Sequence, residues 1–146
     1  MTSGVLVVTS EQIINEARSW FNTPFKHQAK LKNIGCDCIG FVTGVLENIG
    51  YDFSEHYISD YSEIPDGKKL KEKLDEILKP KNINDISSGD IFLMSFNSLP
   101  QHVGFISELN HQKYIIHSYK NAGKVVEHCL NRFWYSKIIR VYTLEI

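Results

Sequence analysis

Three residues in this chain, Cys38, His102 and His117, have the types and the order that nucleophilic acyl transfer requires. In that chemistry a thiol attacks a carbonyl, an imidazole takes up the thiol proton and passes it to the leaving amine, and a third polar group orients the imidazole. Cys38 is followed by apolar residues at helical spacing, which predicts that its thiol lies on the first turn of a buried helix. Backbone N–H groups at a helix start favour the reactive thiolate, so we expect this thiol to be activated.

The two histidines are predicted to share one face of an antiparallel hairpin. The chain is expected to turn at Asn110–His111 in a loop of two or four residues. His117 then lies opposite Gly104, and His102 becomes a diagonal neighbour of His117 on the same face. A loop of odd length would separate the two side chains. The alternative is that each histidine is an ordinary packing or surface residue and that Cys38 is a small buried hydrophobe.

Three helices are predicted before the main run of strands. Thr9–Gln12 matches a capping box, which predicts a first helix that ends at residues 22–24. A polar loop then leads to the helix that begins near Cys38. A third helix is expected over Lys68–Lys79, after a long segment, residues 51–66, that could form part of a cleft wall.

The second half of the chain changes to the two-residue period of strands. Helices followed by strands predict an α+β fold in which helices pack on a mostly antiparallel sheet of about five strands, with the cysteine at the start of a buried helix. The five predicted strands are Asp90–Ser95, His102–Ser107, Lys113–Ser118, Lys124–Cys129 and Lys137–Tyr142.

Length and composition exclude several classes of protein. A chain of 146 residues suits one domain spanning residues 1–146. The net charge of −1, from 16 basic and 17 acidic residues, predicts no nucleic-acid partner. No apolar stretch is long enough for a membrane span, and the N-terminal segment lacks the basic region of a signal peptide. We therefore expect a protein made in the cytoplasm, and we expect no cofactor.

Four ordered motifs resemble the NlpC-type cell-wall peptidases, a family of papain-like cysteine hydrolases. They are residues 37–42 (DCIGFV), 88–91 (SGDI), 102–105 (HVGF) and 115–118 (IIHS). The stretch Trp20–Ala29, the run GCDC at residues 35–38 and the ending Val125–His128 with Trp134 are similar to the phage-tail branch of this family. The resemblance extends over nearly the whole chain.

The resemblance implies a papain-like core that hydrolyses peptidoglycan stem peptides, at the amide between D-γ-glutamyl and a diamino acid. Matched by position, Cys38 corresponds to the nucleophile, His102 to the general base and His117 to the residue that orients the base. The resemblance also implies action at the cell wall by a virion-associated or otherwise exported protein. Its partners would be phage tail or injection-device proteins, since delivery by a particle needs no signal peptide.

Five further residues are candidates for binding the substrate or its oxyanion: Asp37, Ile39, Phe25, His27 and Tyr57. Ile39 occupies a position where the family usually has serine, and Phe25 one where it often has a tyrosine that assists the oxyanion region. Loss of one oxyanion donor can lower turnover by about 10²–10³-fold, which supports a second hypothesis, a weak or inactive wall-binding module of the same fold. Asp37 is expected to cap the helix, or to raise the thiol pKa as a neighbouring anion.

Two alternatives involve Cys36. It could replace Cys38 as the nucleophile, but it precedes the helix and the family motif aligns with Cys38, so we expect a packing residue or an oxidisable thiol. A zinc site built from Cys36, Cys38, His102 and His117 is the other alternative, since thiolate and imidazole suit zinc. A Cys-x-Cys pair is not the usual zinc spacing, and we expect no metal.

Overall fold

The computed structural model describes residues 8–51, 67–97 and 99–144 of the chain. The candidate Tyr57 lies outside the described residues, as does the predicted cleft-wall segment apart from Tyr51. Within the described part of the chain, no helix has the length and apolar composition needed to cross a membrane.

The described residues contain four α-helices, of which the first three correspond to the predicted ones and the short fourth was not predicted. The predicted capping box is confirmed, because Thr9 accepts a hydrogen bond from the backbone N–H of Gln12 and the Gln12 side chain accepts one from the N–H of Thr9. The first helix ends earlier than predicted, because residues 19–22 form turns in which Asn22 takes a left-handed φ of 70°. The helices are α1 (Ser10–Arg18), α2 (Cys38–Asn48), α3 (Gly67–Ile77) and α4 (Arg132–Tyr135).

A six-stranded antiparallel sheet confirms the predicted α+β fold, and a two-stranded β1–β2 pair precedes α2. The strand order in the large sheet is β3-β8-β4-β5-β6-β7. All five predicted strands are present, whereas β3 was not predicted because its sequence is Lys-Pro-Lys, which suits an edge strand only. The strands are β1 (Lys30–Leu31), β2 (Gly35–Cys36), β3 (Lys79–Lys81), β4 (Ile91–Phe96), β5 (Leu99–Leu109), β6 (Gln112–Tyr119), β7 (Lys124–Cys129) and β8 (Ile138–Thr143).

The β5–β6 hairpin turns at the predicted place. Asn110 and His111 have φ values of 53° and 66°, as expected for the two central residues of a type I′ turn. The register pairs Phe105 with Ile116, which is the register predicted from the turn. Continued by one residue, this register places Gly104 opposite His117, so the two candidate histidines share one face of the sheet.

The two faces of the sheet form two separate apolar clusters. One face packs against α1, α2 and α3, with Phe41 of α2 in edge contact with Phe105 of β5 at a centroid separation of 5.5 Å. The opposite face carries the histidines and a second apolar cluster, which consists of Phe92, Met94, Ile106, Ile115, Ile138 and Val141. The sheet therefore separates the helical core from the histidine face.

The Ser-Gly-Asp-Ile motif has a structural role at the start of β4. Asp90 is buried, accepts a hydrogen bond of 2.8 Å from the backbone N–H of Ser87 and lies 2.9 Å from the ammonium of Lys81. Gly89 adopts a left-handed φ of 94°, and its N–H donates to the carbonyl oxygen of Ile106. The motif thus fixes the turn that leads into the centre of the sheet.

We predict that Gly104→Ala destabilises the fold by about 1–3 kcal/mol, the usual cost of overpacking. A Cβ at this position would lie 2.6 Å from the ring of Phe92 and 2.7 Å from the carbonyl oxygen of Ile116, which is backbone and has little freedom to move. Urea unfolding of both proteins measures the difference. An unchanged unfolding midpoint would contradict the packing described here.

Candidate active site

Asp37 positions the start of the cysteine helix. Its carboxylate is buried and accepts hydrogen bonds from the N–H groups of Gly40, at 2.8 Å, and Gln28, at 2.6 Å. The imidazole Nδ1 of His27 lies 3.9 Å from the same carboxylate. This N-cap satisfies donors that a helix start otherwise leaves unpaired. It also ties the loop that contains Gln28 to the first turn of α2.

The Cys38 thiol lies against the strand that carries His102. The side chain is half-buried, and Sγ lies 3.9 Å from the carbonyl oxygen of Gln101, to which the thiol donates. The N–H groups of Val103, Ile39 and Cys38 itself also interact with this sulfur. The thiol therefore contacts the backbone on both sides of His102.

The expectation that the resting thiol is activated is wrong. Burial, and after it the charge of Asp37, raises the pKa of the Cys38 thiol to about 12, although the neighbouring N–H groups act in the opposite direction. Asp37 therefore does both things the sequence left open, since it caps the helix and opposes a second negative charge beside it. The thiol is protonated at neutral pH, so a base must remove its proton during attack.

His102 and His117 meet directly, as their predicted placement on one sheet face requires. Nε2 of His102 lies 2.5 Å from Nδ1 of His117, and both side chains are buried. Burial and, to a smaller extent, the neighbouring His128 lower the pKa of His102 to about 4. The pKa of His117 is also lowered, first by burial and then by the other two imidazoles. Both rings are neutral at physiological pH, and a neutral imidazole can accept a proton.

Sequence reasoning missed a third imidazole at this site, that of His128. Its Nε2 lies 2.8 Å from Nε2 of His117, and its Nδ1 lies 3.2 Å from the carbonyl oxygen of Cys129. Strand pairing is the signal that could have identified His128. Because β6 pairs His117 with Val126, His128 lies two residues further along β7 on the same face. The diagonal rule that joined the first two histidines also applies to this second hairpin.

Aromatic side chains surround the three imidazoles. The ring of Tyr119 stacks on that of His117, with 5.1 Å between centroids and 14° between planes. Trp134, from α4, packs on edge against His117 at 5.3 Å and tilted against His128 at 5.1 Å. Phe92 contacts both His102 and His117 from the other side. These contacts limit the access of water to the bonds between the imidazoles.

The remaining candidate residues near Cys38 differ in how deeply their side chains are buried. The side chain of Ile39 is buried in the helix–sheet core, so only its backbone N–H faces the site. Phe25 is half-buried, and its backbone bridges to Cys36. His27 is exposed beside the Asp37 cap. The Cys36 side chain is fully buried in the helical core, and burial raises its pKa to about 12, which fits a packing residue.

The zinc alternative finds no support. Among residues 8–51, 67–97 and 99–144, no group of three or more His, Cys, Asp or Glu side chains is arranged to hold a metal ion. His102 and His117 direct ring nitrogens at each other, and Cys36 lies in the apolar core on the opposite side of the sheet.

We predict that Asp37→Asn accelerates alkylation of Cys38 by iodoacetamide. Because the thiol pKa is about 12, the wild-type rate should rise about tenfold per pH unit between pH 7 and 10, in proportion to the thiolate. Removing the anion lowers this pKa, so the variant should react faster at each pH. It should also be less stable by about 1–3 kcal/mol, because the single amide oxygen cannot accept from both the Gln28 and the Gly40 N–H groups as the carboxylate does.

Peptide mass mapping separates Cys38 from the other two cysteines in this experiment. Asp85→Asn is the control, since it removes the same charge from an exposed position on the short 3₁₀ turn before β4 and should leave the rate unchanged. An alkylation rate that is unchanged or lower in Asp37→Asn would show that the carboxylate does not oppose the thiolate.

Several solved structures share this fold. The NlpC/p60 domain of the peptidoglycan hydrolase SagA has a TM-score of 0.68 at 16% identity, over 94% of this chain and 100% of that domain. An NlpC/P60 family protein from Bacillus cereus ATCC 10987 has a TM-score of 0.68 at 16% identity, over 94% of this chain and 40% of that one. An N-acetylmuramoyl-L-alanine amidase from Bacteroides uniformis ATCC 8492 has a TM-score of 0.61 at 14% identity, over 94% and 99%.

The family follows from the sequence match. Comparison with curated protein sequences gives no match. The model of the NlpC/P60 family, in contrast, matches residues 22–143, which include α2, all six strands of the large sheet and every residue of the cluster around Cys38. The chain therefore belongs to the NlpC/P60 family.

Proposed function

We propose that this protein is a cysteine hydrolase that cleaves an amide bond in peptidoglycan stem peptides. The observation that carries the proposal is the contact of the Cys38 thiol with the backbone on both sides of His102, whose Nε2 is held by His117. Family membership supports the substrate class, since relatives with this fold include a peptidoglycan hydrolase.

The arrangement supports acyl transfer in two stages. His102 uses Nε2 to bond His117, so Nδ1 is the nitrogen left to accept the thiol proton as sulfur attacks the amide carbonyl. The oxyanion that forms is stabilised by N–H groups at the start of α2, those of Cys38 and Ile39. The imidazolium then protonates the leaving amine, and a thioester forms on Cys38. Water hydrolyses the thioester, with His102 again acting as the base, and the free thiol is restored.

We assign the scissile bond to the amide between D-γ-glutamyl and a diamino acid, on the basis of the motif resemblance. A relative of the same fold carries the name of an amidase that acts at N-acetylmuramoyl-L-alanine, which provides the competing bond. Cleavage at the two bonds releases fragments of different mass, so a single digest distinguishes them.

We also propose that the protein is made in the cytoplasm and acts at the cell wall as part of a phage tail or injection device. The support is the resemblance of several stretches of the sequence to the phage-tail branch. Two of them, Trp20–Ala29 and Val125–His128, contact each other, since the Asn22 N–H donates to the Val125 carbonyl and the Val125 N–H donates to the Thr23 carbonyl. The pair therefore forms one substructure beside β7. Detection of the chain in purified tail particles by mass spectrometry would test this assignment.

A weak or inactive wall-binding module is the second candidate. Phe25 lacks the hydroxyl that an oxyanion donor requires, and burial holds the Cys38 thiol in its protonated form. Both features lower the expected rate without altering the fold. This candidate predicts binding to peptidoglycan without release of fragments.

We predict that the wild-type protein releases muropeptide fragments from purified peptidoglycan and that Cys38→Ala releases none. The variant removes the nucleophile while its small side chain remains compatible with the helix start. Liquid chromatography with mass spectrometry identifies each fragment and therefore the bond cut. Cys36→Ala is the matched control, since it removes a thiol two residues away that lies in the core.

The outcomes separate the two candidates. Equal release by the wild-type protein and Cys38→Ala would exclude the thiol mechanism. An absence of release from either protein, together with co-sedimentation of both with peptidoglycan, would favour the binding module. Parallel digests of diaminopimelate-containing and lysine-containing peptidoglycan define the preference for the diamino acid.

A further inference from the structure

The three imidazoles form an unbroken chain of hydrogen bonds that ends on a backbone carbonyl. His102 Nε2 lies 2.5 Å from His117 Nδ1, His117 Nε2 lies 2.8 Å from His128 Nε2, and His128 Nδ1 lies 3.2 Å from the carbonyl oxygen of Cys129. No ring nitrogen takes part in more than one of these three contacts. Nδ1 of His102 is the single ring nitrogen of the three that these contacts leave over.

The carbonyl at the end of the chain determines the direction of every bond in it. A carbonyl oxygen can only accept, so Nδ1 of His128 carries a proton, and the neutral form of this ring presents an unprotonated Nε2 to His117. His117 then donates from Nε2 and presents an unprotonated Nδ1 to His102. His102 must therefore donate from Nε2, which leaves its Nδ1 unprotonated. A neutral imidazole has one donor and one acceptor; His117 and His128 use both in this chain, and His102 uses its donor alone.

We propose that His128 is a positioning residue that, with the Cys129 carbonyl, sets the tautomers of His117 and His102 so that Nδ1 of His102 is ready to act as the base. The inference rests on the proposed function, because a tautomer matters for hydrolysis only if His102 takes up the thiol proton. Without an acceptor at position 128, His117 could reverse and present a proton to His102. His102 would then carry its proton on Nδ1, where the thiol proton has to go.

The fold holds His128 from both faces of β7. On the histidine face, the ring of Trp134 packs against it at 5.1 Å. On the opposite face, the carboxylate of Glu127 accepts hydrogen bonds from Arg18 of α1, at 3.0 Å, and from Ser107 of β5. The strand is therefore fastened to a helix and to a neighbouring part of the sheet at the residue just before His128. Such support restricts the ring to a position where its bond to His117 persists.

A carbonyl terminus differs from a carboxylate terminus in its charge. A carboxylate next to an imidazole attracts a proton and favours the imidazolium, whereas a carbonyl orients the ring without adding a charge. The chain here ends on a neutral acceptor, and its two buried rings, those of His102 and His117, are neutral. It can therefore fix tautomers in a buried site without the cost of burying an ion.

Two variants of the full-length protein test the role of His128. His128→Phe keeps an aromatic ring beneath Trp134 but removes both nitrogens, and His128→Gln offers a side-chain oxygen that can accept from His117. Long-range ¹H–¹⁵N spectra of ¹⁵N-histidine-labelled protein report which nitrogen of each ring is protonated. Steady-state hydrolysis of a soluble muropeptide gives kcat and KM. His111→Asn is the control, because this exposed turn residue has a left-handed φ that asparagine tolerates.

In the wild-type spectrum we expect protons on Nε2 of His102, on Nε2 of His117 and on Nδ1 of His128. In His128→Phe we expect His102 and His117 to show mixed tautomers, and kcat to fall about 10- to 100-fold with KM unchanged. His128→Gln should restore the tautomers and most of kcat, and His111→Asn should match the wild type in both measurements.

Different results of the spectra and the kinetics would overturn the positioning role of His128 and the proposed hydrolysis. A proton on Nδ1 of His102 in the resting wild-type protein would overturn the positioning role, as would unchanged tautomers and kcat in His128→Phe. If His128→Phe does not fold, the wild-type spectrum and His128→Gln still decide the question. The expected tautomers in a protein that releases no muropeptide would support the hydrogen-bond chain and overturn the proposed hydrolysis.

Discussion

The direct hydrogen bond between His102 and His117 is the interaction on which the rest of the site depends. Two imidazoles buried in an aromatic environment must satisfy their polar atoms with each other, because an unpaired nitrogen there would be costly. The type I′ turn of the β5–β6 hairpin sets the register that brings them together. The turn, the register and the buried pair thus form one structural unit, against which α2 places the thiol.

The parts of this arrangement that follow from local rules could be predicted from the sequence. The turn residues Asn110 and His111 were sufficient to predict that the hairpin places His102 and His117 on one face of the sheet. A capping box was sufficient to predict the start of α1. The position of His128 follows from the same parity rule applied to the β6–β7 hairpin. The edge strand β3 was missed because a Lys-Pro-Lys segment forms a strand only when a neighbour such as β8 pairs with it.

The protonation state of Cys38 could not be predicted, because it depends on how deeply packing buries the sulfur. A helix start favours a thiolate, but here burial and the Asp37 carboxylate outweigh that effect. The Asp37 carboxylate stabilises the local fold, because it caps the helix and holds the Gln28 loop. The same negative charge makes the Cys38 thiol less acidic. In the resting site a protonated thiol contacts the backbone on both sides of a neutral His102, so a base must take the thiol proton as the sulfur attacks.

The proposed mechanism requires that Cys38 becomes acylated during turnover, which intact-protein mass spectrometry can detect. An activated ester of a D-γ-glutamyl stem peptide, which acylates a thiol rapidly, would be mixed with the protein and the reaction quenched in acid. We expect one acyl group per chain, mapped to Cys38 and removed by hydroxylamine. Acylation of Cys36 or Cys129 instead, or continued cleavage of peptidoglycan with no acylated protein at any time, would contradict it.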